Sequence, residues 1–284
     1  MEEVEMKKAR VRRVIVTALV LGAATLLILS CPSPGGGTTT TPPAPTTAHF
    51  AYVANAGDNT VSAYSIGSNG ALTAVTGSPF AAGSEPCAVA VSPNGSFLYV
   101  ANEGGNNVLA YSIGSNGALT PLSGSPFAAG TYPFAVAVSS NCVYVANYGS
   151  SSVSAYSIGT SGALTAVTGS PFAAGGEPCG VAASPNSSFL YVANEGGNVS
   201  AYSIGSNGAL TQLSASPFAA GSYPLAVAVS PNGSFLYAVN SSSNNVSAYS
   251  IGSNGALTLL TGLDSPFASG TNPYGVAVVA VTSQ

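Results

Sequence analysis

One short phrase recurs along this chain at almost constant spacing, and that repetition limits what it can fold into more than anything else in it. Tyr-Val-Ala-Asn begins at Tyr52, Tyr99, Tyr144 and Tyr191, with the variant Tyr-Ala-Val-Asn at Tyr237, at intervals of 47, 45, 47 and 46 residues. Ala-Tyr-Ser-Ile-Gly follows each time, with its tyrosine at Tyr64, Tyr111, Tyr156, Tyr202 and Tyr249. Ser-Pro-Phe closes each unit, ending at Phe80, Phe127, Phe172, Phe218 and Phe267. Five modules therefore cover everything from Phe50 onward, and a repeat of this period marks an array of equivalent supersecondary units.

Each module holds four short runs of strand character bounded by turn residues, as in Ala135 to Ser139, Cys142 to Asn147, Val153 to Ile158 and Leu164 to Thr168. In order these are strands A, B, C and D. Asn94-Gly95 and Asn232-Gly233 turn A into B, and Asn69-Gly70, Asn116-Gly117, Asn207-Gly208 and Asn254-Gly255 turn C into D. Asn-Gly accepts the positive φ angles of a two-residue hairpin. Four antiparallel strands in about 46 residues describe one blade of a β-propeller. The expected fold is all-β, a β-propeller of five four-stranded antiparallel blades. The first module starts at Phe50 with strand B and lacks strand A, while the last ends in a surplus strand A, Tyr274 to Val281. Pairing that C-terminal strand with the N-terminal blade closes the ring and removes its open edges. A solenoid of β-hairpins, or an incomplete ring completed by a second chain, remains the alternative.

The Tyr-Val-Ala-Asn, Tyr-Ser-Ile and Ser-Pro-Phe-Ala-Ala-Gly motifs resemble those of the YVTN-repeat, lactonase-like β-propeller family, which includes 6-phosphogluconolactonase-type and cycloisomerase-type lactonases. The resemblance covers all five modules. It implies a propeller, in relatives generally of seven blades, and an activity in which basic or imidazole side chains around a central pocket hold anionic sugar acids. No module here contains Lys, Arg or His to fill that role.

Ahead of the modules, Lys7, Lys8, Arg10, Arg12 and Arg13 precede an apolar run from Val14 to Ser30 that ends at Cys31. A basic start, an apolar stretch and Ile28-Leu29-Ser30-Cys31, which resembles a bacterial lipobox, make residues 1–31 a signal peptide with Cys31 as the lipidation site. An uncleaved membrane anchor is the alternative, and Met6-Lys7-Lys8 looks more like a signal-peptide start than Met1-Glu2-Glu3 does. Residues 32–48, rich in Pro, Gly and Thr, cannot build a core and act as a tether, reaching up to ~50 Å if polyproline-like. The domain, 49–284, is thus expected at the bacterial cell envelope, lipid-anchored and facing outside the cytoplasm, or else secreted. Its only membrane contact would be the lipid, and a monomer is expected.

Only 5% of the residues are charged, and no Lys or Arg follows Arg13. Six acids remain, Asp58, Glu85, Glu103, Glu177, Glu195 and Asp264, and all fall in B-to-C loops or D-to-A connections, which share one face of a propeller. Without cations this surface excludes nucleic acid and phosphate ligands. Tyr132, Tyr148 and Tyr223 join the acids on that face, with loop amides Asn59, Asn106, Asn107, Asn198, Asn244 and Asn245. These make a candidate ligand surface for a neutral glycan or an envelope protein. Ca²⁺ is the cation that oxygen ligands of this kind would take, but no contiguous Asp-rich loop is present, so no cofactor or metal is expected.

A Ser or Cys nucleophile needs a base, usually His, and the sole histidine, His49, lies at the tether's end. No catalytic residue is therefore assigned. Cys87, Cys142 and Cys179 stand where sister modules carry Phe, Leu or Tyr, which points to packing rather than a disulfide. The sequence favours a non-catalytic cell-envelope interaction module, with a divergent lactonase-like hydrolase as the alternative.

Overall fold

The structure, a computed structural model, describes residues 48–261 and 266–280. The leader with Cys31, nearly all of the tether, and Asp264 lie outside the described residues. Within them the chain is all-β, arranged as five antiparallel sheets in sequence order.

The first sheet comprises β1 (His49–Asn55), β2 (Thr60–Ile66), β3 (Leu72–Ala74) and β4 (Phe80–Ala81). The second runs β5 (Pro86–Val91), β6 (Phe97–Asn102), β7 (Asn107–Ile113), β8 (Leu119–Pro121) and β9 (Phe127–Ala128). The third holds β10 (Pro133–Val138), β11 (Cys142–Asn147), β12 (Ser152–Ile158), β13 (Leu164–Ala166) and β14 (Phe172–Ala173). The fourth holds β15 (Pro178–Ala183), β16 (Phe189–Asn194), β17 (Asn198–Ile204), β18 (Leu210–Gln212) and β19 (Phe218–Ala219). The fifth holds β20 (Pro224–Val229), β21 (Phe235–Asn240), β22 (Asn245–Ile251), β23 (Leu257–Leu259) and β24 (Phe267–Ala268).

The order A-B-C-D is that read from the repeat, with one difference. Strand D is broken in two, and both pieces pair with strand C, as β8 and β9 do with β7. The Ser-Pro-Phe motif sits at the break. Its serine hydroxyl accepts the strand C backbone N–H that the interrupted ladder leaves over, from Ala63 to Ser78 at 2.9 Å, Ala110 to Ser125 at 3.0 Å, Ala155 to Ser170 at 2.9 Å and Ala201 to Ser216 at 2.9 Å. The break therefore costs no buried donor.

Apolar side chains from both faces of the inner sheets are packed, because each sheet lies between two others. Four buried clusters fill the joints between successive sheets: Tyr52, Val89 and Tyr111 between the first and second, Tyr99, Val143 and Tyr156 next, then Tyr144, Leu190 and Tyr202, and last Tyr191, Leu236 and Tyr249. Strand A of each inner sheet touches strand A of its neighbour, β5 with β10, β10 with β15, and β15 with β20.

The tyrosines fasten these joints in both directions. Strand B tyrosines donate to a turn carbonyl of the following sheet: Tyr52 to Gly117 at 3.0 Å, Tyr99 to Gly162 at 3.0 Å, Tyr144 to Gly208 at 3.1 Å and Tyr191 to Gly255 at 3.0 Å. Strand C tyrosines donate to the preceding sheet: Tyr111 to Ala81 at 2.6 Å, Tyr202 to Ala173 at 2.7 Å, Tyr249 to Ala219 at 2.5 Å, and Tyr156 to Ala128. The repeated tyrosines of the sequence are thus the pins between units.

The expected ring closure is not formed. Residues 273–280 carry no strand, Val279 is 77% exposed, and β1 pairs with β2 alone. The physical reason is adjacency: among the described residues no strand pairing and no buried cluster joins the fifth sheet to the first, so the C-terminal segment has no neighbouring edge to complete.

Candidate functional site

The B-to-C loops and the D-to-A connections meet at one end of each sheet, where backbone bonds tie them pairwise. Glu103 donates to the Glu85 carbonyl at 2.9 Å, Tyr148 to Tyr132 at 2.8 Å, Glu195 to Glu177 at 3.1 Å and Ser241 to Tyr223 at 2.9 Å. Seven of the eight residues singled out in the sequence thus occupy equivalent places at one end of their sheets. Asp58 sits in the first sheet's B-to-C loop, exposed, two places past the position that holds Glu103, where the first sheet has Ala56.

The D-to-A residues are held in the left-handed region, with φ of 51° at Glu85, 51° at Tyr132, 56° at Glu177 and 61° at Tyr223. That conformation is unfavourable for residues with a Cβ and persists where surrounding bonds impose it. The loop asparagines do the imposing: Asn59 accepts the Glu85 N–H at 2.8 Å, and Asn106 accepts the Tyr132 N–H at 2.8 Å. Asn244 does the same for Asn272 at 2.7 Å. Asn107, Asn198 and Asn245 instead accept from the asparagine closing each strand B, Asn102, Asn194 and Asn240. The amides considered as ligand contacts are therefore largely spent on shaping the turns.

One group stands apart. Glu195 is buried, 9% exposed, while Glu177 is exposed and Glu85 and Glu103 are half-buried. Its Oε2 accepts the Tyr148 hydroxyl at 3.0 Å, and its Oε1 is buried with no hydrogen-bond partner. Burial lifts its pKa from the ordinary 4.5 to about 7, a hydrogen bond with Glu177 adds to the rise, and the hydroxyls of Tyr223 and Tyr148 pull the other way. Tyr148 and Tyr223 are themselves held neutral, first by burial and then by the neighbouring Glu195 charge.

Beside this cluster an open groove of about 510 Å³ runs between the fourth and fifth sheets. Glu195 and Tyr223 line it together with Gly196, Gly197, Ser222, Ser243 and Asn245. The structure thus gathers Glu177, Glu195, Tyr148 and Tyr223 into one site. It keeps Glu85 with Glu103 on the second sheet, where the Glu85 carboxylate lies over Gly104, 2.9 Å from where a Cβ would stand. Sequence reasoning missed the serines and glycines of the groove, whose residue types recur at every turn of the repeat and carried no signal. Among the described residues no group of three or more His, Cys, Asp or Glu is placed to hold a metal ion.

The three described cysteines are free. The Cys87 thiol lies 3.1 Å from the Pro133 carbonyl and that of Cys179 lies 2.9 Å from Pro224, each on the next sheet, and burial raises both thiol pKa values. They pack the joints and leave no exposed thiolate for chemistry.

Three overlapping stretches, residues 44–137, 78–171 and 159–274, match the sequence model of the family described as "Lactonase, 7-bladed beta-propeller". No curated protein matches the chain. Among solved structures, a proposed 6-phosphogluconolactonase of Bacteroides fragilis superposes with a TM-score of 0.70 at 19% identity, over 80% of this chain and 69% of its own. The periplasmic gluconolactonase of Pseudomonas aeruginosa gives 0.64 at 20% identity over 82% and 70%. A functionally unknown protein of Desulfotomaculum acetoxidans gives 0.65 at 19% identity over 75% and 65%. The chain thus spans 65% to 70% of the length of these structures, and at such identities the likeness is one of fold. Because the matched stretches together run over residues 44–274, the greater part of the sequence, the chain belongs to the lactonase family of 7-bladed β-propellers, here with five sheets described.

Proposed function

We propose that this protein hydrolyses an uncharged sugar lactone, with Glu195 as the general base. The observation that carries the reading is the Glu195 carboxyl itself, buried beside a groove with one oxygen unengaged and a pKa near neutrality. A base works best when its pKa lies near the working pH. The sequence alone weighed against catalysis for want of a histidine; a carboxyl tuned by burial supplies the missing proton acceptor, and family membership favours the hydrolase over a purely binding role.

In the proposed reaction, ionised Glu195 takes a proton from water as its oxygen attacks the lactone carbonyl carbon. The Tyr148 hydroxyl, donating to Glu195 Oε2, orients the base, and the Tyr223 hydroxyl, kept neutral by burial and the adjacent carboxylate, donates a hydrogen bond from the groove wall to an oxygen of the substrate or intermediate. Collapse of the tetrahedral intermediate breaks the ring C–O bond, and the proton held by Glu195 passes to the departing alkoxide. Serine hydroxyls and Asn245 in the groove suit the remaining sugar hydroxyls.

Turnover of glucono-δ-lactone, measured above its spontaneous opening, tests this. The expected rate rises with pH through about 7, and Glu195→Gln lowers kcat by about 10²–10⁴-fold. Absence of turnover by the parent, or an unchanged Glu195→Gln variant, removes the proposal. We also propose that residues 1–31 export the chain and that Cys31 anchors it; the intact mass of the mature N-terminus, with or without acyl groups on Cys31, decides that point.

A further inference from the structure

The charge that Glu195 acquires on ionisation has no answer within the protein. Glu195 is 9% exposed, its Oε1 is buried with no hydrogen-bond partner, and it lines the groove between the fourth and fifth sheets. The titratable groups that face it are Glu177 from the connection into β15, Cys179 of β15, Tyr148 of the third sheet and Tyr223 of the fifth. None of them is a cation, and residues 50–284 contain no Lys, Arg or His. Burial above all, and Glu177 after it, therefore oppose ionisation of the Glu195 carboxyl.

The floor of the same groove differs from its sisters. The glycine after the B-to-C residue is covered in the second and third sheets by the D-to-A side chain of its own sheet. An added Cβ would fall 2.9 Å from the Glu85 carboxylate at Gly104 and 2.4 Å from the Tyr132 ring at Gly149. At Gly196 the nearest atom to such a Cβ is Asn198 Nδ2, at 3.9 Å, and at Gly197 it is the Gly221 carbonyl oxygen, at 3.5 Å. Glu177 thus leaves its glycine bare and keeps its carboxyl beside Glu195 instead. The result is an open strip of backbone between an acidic end and the fifth-sheet wall of Ser222, Ser243 and Asn245.

We propose that this groove binds an amino sugar, its ammonium group held by ionised Glu195 and Glu177 and its ring lying over Gly196 and Gly197. An ammonium carries donors and no acceptor, so it meets the unpartnered Oε1 and supplies the positive charge that the modules lack. Hydrogen bonds between charged partners are the stronger kind. Ca²⁺ suits the place less well, because it takes about six to eight oxygens, and no group of three or more His, Cys, Asp or Glu is gathered among the described residues. The hydroxyls of Ser222 and Ser243 and the amide of Asn245 face the ring hydroxyls from the other wall.

Binding of the ammonium and of a proton to Glu195 exclude each other. The amino sugar takes the ionised carboxyl, so near pH 7, where the folded Glu195 titrates, its arrival releases a proton. Below that pH it must first displace the proton, and its affinity falls. This binding shares Glu195 with the proposed hydrolysis but needs no turnover.

Calorimetric titration of the full-length protein with 6-amino-6-deoxyglucose and with glucose tests this. At pH 8 the amino sugar should bind about 10-fold or more tightly than glucose. Its affinity should drop about 10-fold per pH unit below about 7, and the buffer dependence of the heat should show a proton released near pH 7. Glucose should follow neither trend. Glu177→Gln and Glu195→Gln, made singly and checked for an unchanged circular dichroism spectrum, should each remove most of the preference. The pH dependence and proton release are read on the parent, so they decide the point even if a variant fails to fold. Equal binding of the two sugars, or a preference without proton release, overturns the proposal. So does a preference that persists in both variants, as general attraction to an acidic surface would give, or binding of Ca²⁺ with none of the amino sugar. A parent that binds the amino sugar but opens no lactone supports this inference and removes the hydrolytic reading alone.

Discussion

A carboxyl taken out of water with no cation beside it keeps its proton to higher pH than it would in the unfolded chain. For Glu195 the two values are about 7 folded and 4.5 in the ordinary state. Its contribution to stability is therefore complete below about pH 4.5 and lost as pH rises through about 7. Thermal melts of the parent should show Tm declining over that window, and Glu195→Gln should flatten the decline. Tyr148→Phe removes the donor that favours the ionised form, so the midpoint of the lactone pH–rate profile should move upward, with kcat at high pH changed less than kcat at neutrality. Glu103 and Glu195 occupy equivalent positions and are followed by the same Gly-Gly, so the motif ranks them alike. They differ in the preceding sheet, where Ala56 stands behind Glu103 and Tyr148 behind Glu195. That one replacement covers the carboxylate, and it could be found only by setting the repeats side by side and asking what lies between neighbours.

At the scale of the strand and its joint, the repeat phrases have separate jobs. The tyrosine pins cross to the next or the preceding sheet, whereas Ser-Pro-Phe repairs a break within its own sheet. Tyr99→Phe leaves the Gly162 carbonyl buried without its donor, and should cost about 1–3 kcal/mol in denaturant unfolding. Tyr237→Phe, at the same place on the fifth sheet but only half-buried, should be close to neutral. Likewise Leu119→Ala should cost about 2–5 kcal/mol by opening a cavity, and Leu72→Ala within about 0.5 kcal/mol. Strand order and hairpin turns were legible because Asn-Gly turns and the short runs of strand character between them act locally. The split of strand D was not, since whether an edge strand continues past a Ser-Pro step depends on which side-chain oxygen can stand in for a ladder bond.

Across the whole molecule the absence of Lys and Arg beyond Arg13 bears on substrate choice. A phosphorylated lactone approaching a mouth lined by carboxylates meets repulsion and no counter-charge, so kcat/KM should be lower for a 6-phospho lactone than for its uncharged parent, with the gap narrowing as salt rises. The repeat also misled at this scale. It specifies that any outgoing face fits any incoming face, and from that a five-membered ring looks finished; the turn per sheet is set by side-chain thickness at the joints and is invisible in a motif. Among the described residues each sheet is fastened to the one before and the one after by the same set of contacts, so each joint is specified locally. A duplicated segment of one period, spliced in at a D-to-A connection, would find both of its mating surfaces ready-made, which makes this architecture a tiling whose length is open to simple gain or loss of tiles.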